Sequence, residues 1–261
     1  MLRSDRPYSK EEVIERLSKI RDQGWIPSHR KRTNAGAVGN TLEDLLGIKE
    51  NNLPIANAGA WELKAQRKET ESLTTLFHSE PYPREEIVEH TLLPKYGWPH
   101  ATKANENSFR QTISTLNPSD RGFKVIVDNG RKLVAIDFDS AKVQMNHVNW
   151  LESVKARVGN LGKLSPEPHW SFEILQQITT KKLTNSFYLE AESKKANGPE
   201  EFRYSNCVML EHFDFNRFIR AIQNGFVLVD FDASTSHNHG TKFRMKRDSW
   251  NEFYGNVEQV F

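Results

Sequence analysis

The stretch GFKVIVDNGRKLVAIDFD, Gly122 to Asp139, decides the fold class. Two β-branched runs flank Asp128-Asn129-Gly130, residue types that tolerate the backbone of a tight turn, so the stretch predicts an antiparallel hairpin. A sheet that contains such a hairpin is not a purely parallel, doubly wound one.

Working outward, strands and helices interleave irregularly. Ser9 precedes KEEVIERLSKIRDQG with Glu12 three positions on, a capping box that starts a helix which Gly24 ends, and Val13, Leu17 and Ile20 form its apolar stripe. GNTLEDLLGIK reads as a short helix with Leu42, Leu45 and Leu46 inward. Trp61–Arg67 and SLTTLFHSEP read as strands, and REEIVEHTLLPKYG as a helix that Pro94 stops. SAKVQMNHVNWLESVKARVGNLG and HWSFEILQQITTKKL have helical spacing. NSFYLEAESKK and FRYSNCVML read as paired strands, FDFNRFIRAIQNG as a helix ending at Gly225, and FVLVDFDA as a strand. The expected fold class is α/β, a mixed sheet flanked by helices.

The 261 residues suit one large domain or two fused lobes. A formal net charge of +2 is too small to argue for nucleic acid, though it permits a local basic face. The single cysteine, Cys207, excludes an internal disulfide. No apolar run approaches the roughly 20 residues of a membrane span, and the polar opening MLRSDRPYSKEE has no apolar signal stretch, so a cytoplasmic location is expected.

The chemistry concentrates around NAGAWELKAQRKE, Asn57 to Glu69. Glu62 and Lys64 are two apart on a strand and so share one face. A buried acid and amine on one face cost desolvation energy unless they share a ligand or each other. Phosphodiester hydrolysis needs an activated water and neutralisation of the developing charge, which a divalent metal held by acids, with a lysine beside it, provides. E-x-K alone is a weak pattern, common by chance in charged proteins.

The surroundings are more specific. GAVGNTLEDLLGIKENNLPIANAGAWELKAQR, followed by SLTTLFHSEP, resembles the MvaI/BcnI restriction endonucleases, relatives of the mismatch-repair nicking enzyme MutH. The resemblance continues through WSFEILQQITTKKL, LEAESKK, RAIQNGFVLVD and HNHGTKFRM, in order, from about Gly36 to Met245, and is weakest from about Tyr82 to Gly162. It implies a PD-(D/E)xK restriction-endonuclease-like fold of MutH type, with two intertwined lobes around a DNA cleft. The catalytic lobe would be mainly residues 1–120 and the recognition lobe mainly 165–261.

By position, the resemblance makes Glu62 the central metal-binding acid and Lys64 the catalytic lysine. Glu43 matches an extra acid near the active centre, and His78 a histidine near the scissile phosphate, which could equally be bonded to backbone. The family's first metal-ligand aspartate falls on Asn57. An amide keeps the shape but loses the charge, which weakens metal binding there. Three readings stand: an engineered change that traps uncut DNA, which is favoured, a natural loss of activity, or a displaced site using Glu43 or Glu50.

SHNHGTKFR places His237, His239, Lys242 and Arg244 in a compact loop and strand, residue types suited to base edges. Two histidines one residue apart could also bind zinc, but no cysteine or acid pairs with them at metal spacing. The resemblance gives this segment a major-groove role and matches Asp230 to a family aspartate. Asp232 stands where relatives carry arginine, a reversal expected to change the base read, since aspartate accepts from cytosine N4. The run His29, Arg30, Lys31 and Arg32 would lie along phosphates, or would simply be a solvated face.

The implied function is that of a type II restriction endonuclease. It would hydrolyse double-stranded DNA at a short specific site with Mg2+, leaving 5′-phosphate, and would act as a monomer nicking each strand in turn, with a cognate methyltransferase as genetic partner. The alternatives are a MutH-like nickase directed by a partner protein, or a catalytically silent DNA-binding protein with Asn57 native.

Overall fold

The decisive stretch forms the expected hairpin. In the computed structural model, strand Arg121–Asp128 pairs antiparallel with Leu133–Val143, closing at Asp128 opposite Leu133. The Asp128 side chain fastens the turn: Oδ1 accepts from the Arg131 backbone N–H at 2.9 Å and Oδ2 from its Nε at 2.8 Å. The structure describes residues 8–28, 36–47, 61–70, 72–195 and 198–261. Asn57, Glu50 and the basic run from His29 to Arg32 lie outside the described residues.

The chain divides into two compact units, each assembled from separated stretches. The first comprises Met1–Ser72, Ile178–Asp214 and Phe253–Phe261; the second comprises Leu73–Gln177 and Phe215–Glu252. These limits cut across the lobe limits drawn from the sequence. The reason is pairing: strand Glu62–Arg67 lies beside Ser186–Lys194, so the later segment joins the sheet of Glu62.

In the first unit a mixed sheet runs in the order Ile26–Pro27, Glu201–Phe213, Ser186–Lys194, Glu62–Arg67, with Tyr254–Gln259 also paired to Glu201–Phe213. Glu62–Arg67 and Ser186–Lys194 are parallel, with Glu62 opposite Ser186 and Lys64 opposite Tyr188. Side chains alternate across a strand. Leu63, Phe187, Leu189 and Ala191 therefore face one way, into a core completed by Trp61, Val13, Leu17, Ile20, Val38 and Leu42. Trp61 is the residue just before the strand, and the other five come from helices Lys10–Asp22 and Ala37–Leu45. Trp61 and Phe187 rings meet at 4.7 Å. The capping box at Ser9 is formed, with the Glu12 N–H donating to Ser9 Oγ and the Ser9 N–H to the Glu12 carboxylate. Of the three leucines expected inward on the second helix, Leu42 and Leu46 are buried and Leu45 is half-buried.

In the second unit an antiparallel sheet runs Thr74–His78, Lys242–Met245, Val227–Ser234, Asn107–Ile113, Trp98–Pro99. The hairpin, joined by His169–Ser171, makes a three-stranded sheet. Aromatic rings fill the interior, with Phe123 within 5.0 Å of Phe138 and 5.2 Å of Phe109.

Three local expectations change. The helix does not end before Pro94: a π-helical turn, Val88–Leu92, leads into Leu93–Tyr96, whose first turn holds the proline where no N–H is needed. Ser140–Val143 remain in the strand, because a bulge lets Val143 pair with Arg121. His169–Ser171 is a strand, since Trp170 is fully buried with its indole N–H donating to the Ser79 carbonyl at 3.1 Å. The mixed-sheet α/β class stands as expected.

Candidate functional site

The face of the first sheet opposite its apolar core carries the chemistry. Glu62, Lys64 and Gln66 point there from one strand, and Ser186, Tyr188 and Glu190 from its parallel neighbour. Glu62 is only 7 % exposed. Its Oε1 lies 3.7 Å from Lys64 Nζ and 3.6 Å from Lys182 Nζ, at the end of helix Phe172–Lys182. Two lysine amines thus face one carboxylate oxygen, an arrangement suited to an incoming phosphate.

The other oxygen is just as informative. Glu62 Oε2 is buried with no hydrogen-bond partner among the described residues. Such an oxygen costs free energy unless a further group binds it, and a hard divalent cation is the kind that takes an anionic oxygen. Glu62 thus fits the role of metal ligand on its own geometry. Among the described residues no group of three or more His, Cys, Asp or Glu side chains comes together as a metal site.

Burial pushes the Lys64 pKa below the ordinary lysine value; the Glu62 charge and hydrogen bond work against that, and the Lys182 charge adds to it. A lysine so placed exchanges protons closer to neutrality than a solvated one. Tyr254 closes one end of the cluster, its hydroxyl 3.5 Å from Ser186 Oγ. Burial raises its pKa and so does the nearby Glu62 charge, while the Ser186 hydrogen bond pulls the other way, so the phenol stays neutral. At the other end Tyr188 Oη donates to Gln66 Oε1 at 3.3 Å, and Asn206 Nδ2 to the buried Glu190 at 2.9 Å. Glu43 is half-buried on helix Ala37–Leu45, which packs against the Glu62 strand.

Lys182 was not singled out in the sequence. Lysines in the last turn of a helix are ordinary partners of its dipole, and only the tertiary packing reveals this one beside Glu62.

The remaining predicted residues that the structure describes gather in the second unit, around one sheet face. Along Val227–Ser234 the apolar Val229, Phe231 and Ala233 are buried, which turns Asp230 and Asp232 outward. Lys242 and Arg244 face the same side from the next strand, and Arg110 and Thr112 from the strand on the other flank. Each acid is held from both sides. Asp232 Oδ1 meets Arg110 Nε at 2.8 Å and its Oδ2 meets Lys242 Nζ at 3.0 Å. Asp230 accepts from Thr112 Oγ1 at 2.8 Å and from Arg244 Nη1 at 3.0 Å. Burial acts to raise the Asp232 pKa, but the Lys242 hydrogen bond and charge, with Arg110 and His239, outweigh it and hold the carboxyl low.

His237 and His239 are exposed, with rings 4.2 Å apart. His78 is exposed at the end of Thr74–His78, opposite Lys242. Gly240 sits against it with φ +81°, and a Cβ there would lie 3.3 Å from His78 Nδ1. The structure therefore brings His78 together with the His239–Lys242 segment, while Glu62 and Lys64 belong to the first unit. Arg110 was also missed: alternation on its strand was not read, and an arginine on a strand has no local signature.

The model of the MvaI/BcnI restriction endonuclease family matches residues 14–254. The chain belongs to that family. The solved restriction endonuclease MvaI, in complex with cognate DNA substrate, is similar over 97 % of this chain and 100 % of that one, with TM-score 0.78 at 23 % identity. MvaI in the absence of DNA is similar over the full length of both, with TM-score 0.52 and 21 % identity. No curated protein matches. Membership of the MvaI/BcnI family makes the chain a nuclease of the restriction-endonuclease kind, a DNA-binding class that generally uses a divalent metal. Among the described residues no helix is long and apolar enough to cross a membrane.

Proposed function

We propose that this chain has the scaffold of a type II restriction endonuclease, a class that hydrolyses double-stranded DNA at a short specific site, with Glu62, Lys64 and Lys182 forming its catalytic cluster. The observation that carries the reading is the buried Glu62: one oxygen engages two lysines and the other lacks any partner among the described residues.

Glu62, with the residue at position 57, would hold Mg2+, which when bound supplies charge neutralisation and an acidified water. Lys64, on the same strand face, positions that water and can accept its proton, helped by a lowered pKa. Lys182 faces the same oxygen and offsets charge as it develops on the phosphate. Tyr254 stays neutral and fills the end of the cluster. Glu43 is a nearby reserve of negative charge, and His78, in the second unit, is a donor suited to a DNA phosphate. His237, His239, Lys242, Asp230 and Asp232 make the reading face, with Arg244 beside them bound to Asp230, and Arg30, Lys31 and Arg32 add contacts to phosphates. The products carry 5′-phosphate, the working form is a cytoplasmic monomer that nicks each strand in turn, and a methyltransferase of the same specificity protects the host.

Asn57 makes the present chain an inactivated variant. The same residue supports a second reading, a silent DNA-binding protein. Cleavage of unmethylated plasmid with Mg2+ separates them: discrete fragments are expected from Asn57→Asp and none from the parent. If neither chain cuts while specific binding persists, the binding protein is correct. Cutting that needs an added mismatch-repair activator would instead identify a dependent nickase.

A further inference from the structure

We propose that Arg110 is a base-reading residue, taking the guanine of a G·C pair, and that Asp232 is the positioning residue that aims it and Lys242 into the groove. The inference rests on the proposed function, since it presumes that this sheet face meets DNA.

Three observations lead to it. First, both Asp232 oxygens are already engaged, by Arg110 Nε at 2.8 Å and Lys242 Nζ at 3.0 Å. A carboxylate held between two cations is a poor acceptor for a cytosine amino group, and its own charge is spent on its neighbours. Second, the contact to Arg110 uses Nε, and among the described residues the two Nη groups donate to none. The ion pair keeps the guanidinium beside Asp232 while its outer edge remains available, the edge that pairs with guanine O6 and N7. The Arg110 side chain keeps 43 % of its exposure, against 16 % for Lys242.

Third, Arg244, the more obvious reader from sequence, is consumed by the fold. Its Nη1 donates to Asp230 at 3.0 Å, its Nη2 to the Leu73 carbonyl at 2.6 Å, and its Nε is buried. Of the two arginines on this face, one is clamped on the protein and the other is clamped on one side only. Pre-ordering Arg110 on Asp232 also lowers the rotamer entropy lost on binding.

The test is selection from a random-sequence duplex library by binding, using the full chain, which carries Asn57 and therefore holds DNA without needing to cut it. Arg110→Ala should relax preference for guanine at one position by about 10- to 100-fold while leaving the other positions unchanged. Asp232→Asn should relax the same position, together with any position that Lys242 contacts, and at the Arg110 position the double variant should add little to either. In the parent site, 7-deazaguanine at that position should reproduce the loss, with no further effect in Arg110→Ala. A uniform weakening across all sequences, with a shallower salt dependence, would make Arg110 a phosphate contact and overturn the proposal. An unchanged sequence profile would overturn it too. A parent with no sequence preference at all would instead remove the proposed function beneath it.

Discussion

Lys64 and Lys182 come from separate elements, a strand and a helix end, yet converge on the same Glu62 oxygen at 3.7 and 3.6 Å. Two like charges are brought together only where something compensates them. Glu62 supplies a carboxylate oxygen to both, an arrangement suited to offsetting the charge of a phosphate.

Lys182→Ala, made in the Asn57→Asp chain, should therefore slow cleavage by about 10²- to 10³-fold, the usual cost of removing one group that stabilises developing charge. Sequence-specific binding should be nearly unchanged. Single-turnover cleavage beside a binding titration makes the check, and equal loss of both would mark Lys182 as structural.

The lowered Lys64 pKa has a pH signature. Between the folded value and the ordinary 10.5, the folded state binds fewer protons than the unfolded, so stability attributable to this residue rises with pH. Its ammonium form is thus a liability at lower pH that is relieved as pH climbs through that window. Lys64→Met should be more stable than the parent near neutrality, with the difference shrinking toward alkaline pH. Chemical denaturation across pH measures it; a difference that grows with pH would contradict the assignment.

Cys207 is fully buried, and burial pushes its thiol up to about 12. A thiol this far from ionising is a poor nucleophile. Disulfide reagents at mildly alkaline pH should leave the native chain unlabelled and react promptly once denaturant is added. Rapid labelling of the folded protein would show that this part of the core opens readily.

Tyr204 Oη donates to the Val38 carbonyl at 2.7 Å, tying helix Ala37–Leu45 to strand Glu201–Phe213. Tyr204→Phe removes this second bond to a helical carbonyl and should lower stability by about 0.5 to 1.5 kcal/mol. Glu43 rides on the same helix, so cleavage by the Asn57→Asp chain should fall as well. An unfolding curve coincident with the parent would dismiss the tie.

The elements that were legible in the sequence are those set by local chemistry. Ser9 with Glu12 announced its helix, Asp128-Asn129-Gly130 its turn, and Glu62 with Lys64 their shared face. What stayed hidden depends on distant partners. Pro94 was read as a stop, but it fits the first turn of a new helix that starts at Leu93. Trp170 has helical neighbours and becomes a strand residue because Ser79 and Phe243 receive it. Lys182 and Arg110 became candidates only once the fold set them beside Glu62 and Asp232. Neither carries a local signal, since a surface lysine and a surface arginine look alike wherever they stand.

The parallel pairing of Glu62–Arg67 with Ser186–Lys194 also sets a clock. A ribosome delivers the first strand early, but its neighbour emerges only after the whole stretch from Leu73 to Gln177 has been made. Until then Lys182 is missing and Glu62 has no sheet to occupy. A half-made chain consequently carries Glu62 and Lys64 without the neighbouring strand and helix end that complete their cluster, which can assemble only after Ser186–Lys194 has been made.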